Sequence, residues 1–422
     1  MKMQRRSIQR LACDVTSGLG CRGRFPRFAV TCRGVALVAI ASGGACGLMA
    51  EAASVTNLGA LANNDTRSYA ISGDGSVVGG ASYDGNFNQA FRWSSGTMSP
   101  MGSLAGDVYA VAHGVNADGG VVVGYSGRVN PSSQERAVRW MVTSGTLQDL
   151  GTLPGGGSSQ AHAVDASGDA VVGYSTSAVG ARAFLWTAAS GSMQNLGVLG
   201  TDDSSEAYGT SAAGSVVVGV SRSFVFDPDT GGSLVGDAFR WTSSGMQSLG
   251  RLPGGDYAEA WAVDAAGDVA VGSSNTAPNG ERVAARWTVT GSTTVESLGF
   301  LAGGSRSTAY GVSGDGSSVV GTSMVSGGLD RAFLWTPALG MVDLNTYLPT
   351  IGFDLSGWTL ERATAISADG TSITGYGTLE NVGTRSFLVQ AVPEPSTFAM
   401  AVAGLACLLR GRLRSRPLRG VG

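Results

Sequence analysis

The chain has two histidines, His113 and His162, and they occupy equivalent places in consecutive copies of a repeat. A pair of imidazoles could hold a metal ion or pass a proton. In the sister copies the same place is taken by Tyr69, Tyr208, Trp261 and Tyr310, and by Thr364 in the last. A metal ligand is not normally interchangeable with tyrosine, so the pattern favours packing groups with a polar tip. The five cysteines, Cys13, Cys21, Cys32, Cys46 and Cys407, all fall outside the repeats, which excludes a thiolate nucleophile, a Cys-ligated metal or a disulfide within them. No Ser-His-Asp order, phosphate-loop lysine or His-Glu-x-x-His spacing is present. The glycine runs at Pro154-Gly155-Gly156-Gly157 and Pro253-Gly254-Gly255 recur from copy to copy and read as connections. Asp74 and its counterparts supply one carboxylate per turn, well short of the roughly six oxygens calcium takes. No catalytic residue, metal or cofactor is expected.

The remaining chemistry is carboxylate and aromatic. The longest insertion, residues 221–237, carries Phe224, Phe226, Asp227, Asp229 and Asp237, and Asp202, Asp203 and Glu206 lie in the segment leading to it. Variable loops on a rigid scaffold are where binding concentrates. These eight residues are therefore the expected ligand or partner face.

What must position them is a repeat. A tryptophan closes an Ala-Phe-x-Trp-like run at Trp93, Trp140, Trp186, Trp241, Trp287 and Trp335, spaced 47, 46, 55, 46 and 48 residues, and Val389 takes its place in a seventh copy. Each copy contains four apolar runs of strand length bounded by turn residues. The second run is the most apolar, as in Val121-Val122-Val123 and Val216-Val217-Val218, and suits a strand covered on both faces. The Asp-Gly pairs at Asp74, Asp118, Asp315 and Asp369 predict two-residue hairpins with both central residues at positive φ. The closing Trp is expected between neighbouring sheets, on the face opposite its Phe. The array opens on Val55-Thr56-Asn57-Leu58-Gly59, a fourth-type strand, and ends on Phe387-Leu388-Val389, a third-type strand. Pairing these would complete a seventh unit and remove two exposed edges. The expectation is an all-β fold: a seven-bladed β-propeller of four-stranded blades over residues 53–390, closed by its N- and C-terminal strands.

Between residues 53 and 392 the chain holds 15 Arg and no Lys against 28 Asp and Glu, a balance of −13. That argues against nucleic acid, which needs a positive footprint. The basic residues gather at the two ends. Residues 1–52 read as a signal peptide: seven arginines, a small-residue apolar stretch from Val35 to Ala50, and an A-x-A cleavage site at Ala50 and Ala52. The basic stretch is longer than such a signal needs, which points to a translation start further downstream. At the other end stand Val392-Pro393-Glu394-Pro395-Ser396-Thr397, an apolar run from Phe398 to Leu409, and Arg410, Arg412, Arg414 and Arg416. The apolar run is short for the roughly 20 residues a membrane span takes.

Those last residues, 391–422, resemble the PEP-CTERM sorting signal of Gram-negative bacteria. The resemblance implies transient membrane association, recognition by an exosortase-type enzyme, cleavage near Pro393, Glu394 and Pro395, and delivery to the cell surface or beyond. The repeats resemble the HAF-repeat group of extracellular bacterial proteins through Ala-Phe-[Arg/Leu]-Trp and through Leu-Gly-x-Leu-Pro-Gly-Gly at Leu150 to Gly156 and Leu249 to Gly255. The histidine that names the group is replaced here by Gln89, Arg136, Arg182, Asp237, Val283, Arg331 and Arg385. The expected function is that of an exported, surface-sorted, non-enzymatic binding or structural module, with envelope proteins or exopolysaccharide as partners. The alternative is an extracellular polysaccharide hydrolase or lyase, which needs two acids about 5–10 Å apart in a cleft.

Overall fold

Turn residues break the chain into short extended runs. In the computed structural model, which describes residues 53–62, 64–129, 134–227 and 231–390, those runs form seven four-stranded antiparallel sheets. Blades 1 to 6 span residues 66–100, 109–149, 159–195, 204–250, 258–299 and 307–343 in simple up-and-down order. Blade 7 takes three strands from the C-terminal side, Trp358–Ile366, Ile373–Leu379 and Gly383–Val389, and its outer strand, Thr56–Asn57, from the other end of the array. The register is Thr56 to Leu388 and Asn57 to Phe387, extended by Leu58 N donating to Ser386 O at 3.1 Å. The fold is the seven-bladed propeller, closed where the sequence offset predicts. The proposed signal peptide (residues 1–52, with Ala50 and Ala52) and the C-terminal segment with Pro393, Glu394 and Pro395 lie outside the described residues, as does Asp229.

The core is seven apolar layers, one between each pair of blades. Between blades 3 and 4, Val172, Leu185 and Leu196 meet Val217, Phe239 and Trp241. Equivalent sets recur around the ring, and Phe184, Trp186, Phe333 and Trp287 are almost wholly buried. Burial of such a side chain stabilises by roughly 1.5–3 kcal/mol. The Phe and Trp of one strand share a face, contrary to expectation: Phe239 and Trp241 both turn toward blade 3, while Ala238 between blades 4 and 5 faces the other way. Residues two apart on a strand alternate together.

The Asp-Gly turns also differ from the expected form. Gly75 is at φ 73°, but Asp74 is not among the positive-φ residues. Gly75 N donates to Ser72 O at 3.0 Å and Ser72 N to Val77 O at 2.8 Å, so the turn is a wider loop with only its glycine left-handed. Asp74 caps it by accepting from Ser72 Oγ at 2.6 Å and Ser76 N at 3.0 Å. These turns hydrogen-bond to one another in a complete circle. Gly73 N donates to Ala117 O, Ala117 to Ala166, Ala166 to Ala212, Ala212 to Ala265, Ala265 to Gly314, Gly314 to Ala368, and Ala368 N returns to Gly73 O, at 2.9–3.3 Å.

Two elements lie outside the repeat. Asp343 ends the outer strand of blade 6 and caps a short helix, Leu344–Thr350, by accepting from Asn345 N at 2.8 Å; Leu344 and Leu348 bury its inner side. Ala53–Ser54 pairs in parallel with Phe353–Asp354 in the link that follows. The long insertion of blade 4 is a continuous hairpin rather than a loop: Val217–Asp227 and Gly231–Thr242 stay paired from Val217 with Trp241 out to Asp227 with Gly231.

Candidate functional site: the central funnel

Every inner strand, the one nearest the ring axis, carries a register irregularity at an equivalent residue, and that of blade 7 has a second at Glu361. In order the equivalent residues are Tyr69, His113, His162, Tyr208, Trp261, Tyr310 and Thr364. A bulge re-aims a side chain, and here it turns seven equivalent positions into the central channel. The facing strand must give way to the displaced backbone. A Cβ on Gly173 or Gly219 would lie 1.9 Å from the carbonyl oxygen of Gln160 or Glu206, so only glycine fits there.

The result is an aromatic collar. Ring centroids run Tyr69 to His113 at 5.0 Å, His113 to His162 at 5.5 Å, His162 to Tyr208 at 5.3 Å, Tyr208 to Trp261 at 4.2 Å and Trp261 to Tyr310 at 5.7 Å. The two histidines are members of this stack. His162 Nδ1 donates to Ala207 O at 3.0 Å. Burial, with the neighbouring His162 adding to it, pushes the His113 imidazole down to about 3, so it is neutral at ordinary pH. Among the described residues no three His, Cys, Asp or Glu side chains converge as a metal site. The Trp261 indole N–H has no acceptor within the described protein.

Two residues before each collar position lies a second tier: Arg67, Val111, Gln160, Glu206, Glu259, Thr308 and Arg362. Of these, Gln160, Glu206 and Arg362 line, with Tyr174 and Tyr376 from the second strands, a funnel of about 680 Å³ above the collar, and Arg67 lies beside it against the Tyr376 ring. On the blade 4–5 side the tier is acidic and internally paired. Glu206 accepts from Arg222 and, at 2.7 Å, from the Tyr208 hydroxyl. Glu259, which is buried, accepts from Arg282 at 2.8 Å, Ser273 Oγ at 3.0 Å and the Tyr257 hydroxyl at 3.2 Å. Burial and then the Glu206 charge raise the Tyr208 phenol well above its ordinary value. On the blade 7–1 side the tier is cationic. Arg67 lies 5.4 Å and Arg362 5.6 Å from the Tyr376 ring centre, and Arg362 is 5.0 Å from that of Tyr310.

The face expected from sequence divides around this funnel. Glu206 is part of the funnel wall. Asp202 accepts from Ser221 Oγ at 2.7 Å and Ser223 Oγ at 3.2 Å, and Asp203 from Phe224 N at 3.1 Å, tying the entering segment to the base of the hairpin. Asp237 pairs with Arg251 at 2.5 Å and accepts from Ser248 Oγ at 2.8 Å. Phe224 and Phe226 stand out on the hairpin, 61% and 70% exposed, next to Asp227 at its tip. Sequence reasoning missed Arg67, Glu259, Arg362 and Tyr376. A signal was present, since each tier residue sits at a fixed offset from an aromatic already aligned.

Residues 391–415 match the PEP-CTERM protein-sorting motif. The motif implies a chain that is exported and sorted through an exosortase-type enzyme. Among the described residues no helix is long and apolar enough to cross a membrane. No curated protein matches the chain. Solved structures do. A structure assigned to TolB from Agrobacterium tumefaciens is 16% identical with a TM-score of 0.42, over 71% of this chain and 95% of that one. An oligogalacturonate lyase in complex with manganese is 12% identical with a TM-score of 0.48, over 82% and 95%. The β-propeller domain of the trilobed protease from Pyrococcus furiosus is 8% identical with a TM-score of 0.47, over 82% and 97%. At such identities the likeness is one of fold alone.

Proposed function

We propose that the chain is a non-enzymatic binding module, sorted to the cell surface or extracellular matrix, that takes an extracellular glycan into the central funnel. The observation carrying this reading is the collar: six rings in stacked and edge-on contact forming the floor of a cavity whose walls bear hydroxyls, the Glu206 carboxylate and the Arg362 guanidinium. Apolar ring surface with a few oriented polar groups is the usual make-up of a small-ligand pocket. The hairpin that carries Phe224 and Phe226, tied at its base by Asp202 and Asp203, continues blade 4 past Glu206 and would extend the contact surface, with Asp227, Asp229 and Asp237 as the further partner residues of this reading. The repeats are assigned to the HAF-repeat group on their Ala-Phe-x-Trp runs.

A hydrolase or lyase is less well supported. Glu206 and Glu259 are the acids in the funnel tier, and each of their four oxygens already has a donor from the protein. A general acid or base needs an oxygen free to exchange a proton with substrate. The test is calorimetric titration of the purified chain with oligosaccharides, beside Trp261→Ala. Loss of about tenfold in affinity, equivalent to ~1.4 kcal/mol, is expected from the missing ring. Unchanged affinity in the variant would place the glycan elsewhere.

A further inference from the structure

We propose that Arg67 and Arg362 form an anion clamp, and that the glycan taken into the funnel is acidic, presenting a carboxylate or sulfate group to them. The proposal rests on the funnel reading above and names its ligand class.

The two arginines differ from most of the others, and among the described residues Arg136 alone shares their lack of an ion pair or backbone acceptor. Seven are ion-paired: Arg128, Arg139, Arg222, Arg251, Arg282, Arg286 and Arg306. Arg92, Arg182, Arg240 and Arg331 donate to backbone carbonyls. Arg67 and Arg362 have no carboxylate within ion-pair distance among the described residues; their neighbours are the rings of Tyr376 and Tyr310 and, for Arg67, the Tyr69 hydroxyl. A guanidinium lying over a ring keeps its in-plane N–H donors directed sideways, the geometry that forks a carboxylate or an ester oxygen pair.

The fold does not require arginine at these places. The equivalent tier positions hold Val111, Gln160 and Thr308 in other blades, with the same bulge and the same facing glycine pattern. Blades 7 and 1 adjoin across the closure, and both cations lie against the same ring, Tyr376, at the funnel's edge. They do so on a body carrying 15 Arg against 28 Asp and Glu. Such a body repels polyanions in general, which leaves this wall as the place an anion is accepted. The acidic wall opposite is neutralised by Arg222 and Arg282 and offers hydroxyl-binding groups. A ligand matched to both walls carries hydroxyls and negative charge together.

The experiment is calorimetric titration of the full chain with alginate oligosaccharides, dextran sulfate and neutral dextran. The wild-type chain is compared with the Arg67→Gln, Arg362→Gln double variant and with Trp261→Ala, and urea midpoints verify folding. The wild type is expected to bind at least one acidic glycan tenfold or more tighter than dextran. The double variant should lose that preference at an unchanged urea midpoint. Trp261→Ala should weaken acidic and neutral chains alike. Preference for alginate identifies the anion as carboxylate, and preference for dextran sulfate identifies it as sulfate ester; either, lost in the double variant, supports the clamp. Equal binding of dextran, or a preference that survives the double substitution, overturns the clamp and leaves the funnel reading standing. No binding of any glycan overturns both.

Discussion

Two walls of one funnel are built from the same strand positions and differ in how their charges are closed. On the blade 4–5 side, Glu206 and Glu259 each meet an arginine and a tyrosine hydroxyl of the protein. On the blade 7–1 side, Arg67 and Arg362 lie against tyrosine rings and have no ion pair among the described residues. A charge matched within the protein belongs to the architecture, because removing its partner leaves a desolvated group. A charge that the protein leaves without an opposite is free to answer something arriving from outside. The comparison predicts that the acidic wall matters for stability and the cationic wall for recognition.

The largest effect should come from Glu259→Ala. It leaves Arg282, Ser273 and the Tyr257 hydroxyl without their acceptor, and a loss of about 2–3 kcal/mol in urea unfolding is expected. Arg362→Gln, by contrast, should change stability by less than about 0.5 kcal/mol. Similar costs for the two would erase the distinction between the walls.

A middle-sized effect concerns the collar beneath both. His113 faces Tyr69, Tyr125 and His162, and its pKa falls from 6.5 to about 3 on folding. The unfolded chain therefore binds the extra proton between those values. The neutral ring's contribution is fully present above pH 6.5 and is lost as pH falls toward 3. His113→Tyr, the residue used at Tyr69 and Tyr208, should make the chain up to about 2 kcal/mol less sensitive at pH 5, measured as the urea midpoint at pH 5 against pH 7.5. An equal pH dependence in the variant would show that the collar imidazole is hydrated and free to ionise.

The smallest effect on stability belongs to the hairpin. Phe224→Ser with Phe226→Ser should alter unfolding by less than about 0.5 kcal/mol while reducing retention of the chain at the cell surface. Unchanged retention would confine recognition to the funnel walls.

Much of this was readable before any coordinates. The tryptophan period, the fourth-type strand at Thr56 and the third-type strand at Phe387 specify seven blades and the place of closure. Repetition made this possible, because each copy corrects the reading of the others. The turn at Asp74 was placed correctly but given the wrong geometry: its Asp reaches Ser72 and Ser76 with the side chain, which a wider loop allows and a two-residue turn does not. The helix at Leu344–Thr350 sits in the one link that has no counterpart in other copies, so no period announced it. The residues with the least repetition were the hardest to read. Arg67, Val111, Gln160 and Glu206 share a position and not a chemistry, and their convergence depends on a bulge that sequence does not display. Asp202, Asp203 and Asp237 looked like ligand groups, yet their oxygens accept from Ser221, Ser223, the Phe224 amide and Ser248.

The circle of backbone hydrogen bonds from Gly73 through Ala368 has no beginning. Each blade gives one bond forward and takes one from behind, so the underside of the ring carries no seam, although its flank is stitched at Thr56 and Leu388. A chain cut between two other blades and rejoined at its present ends would move the stitch and leave that underside untouched.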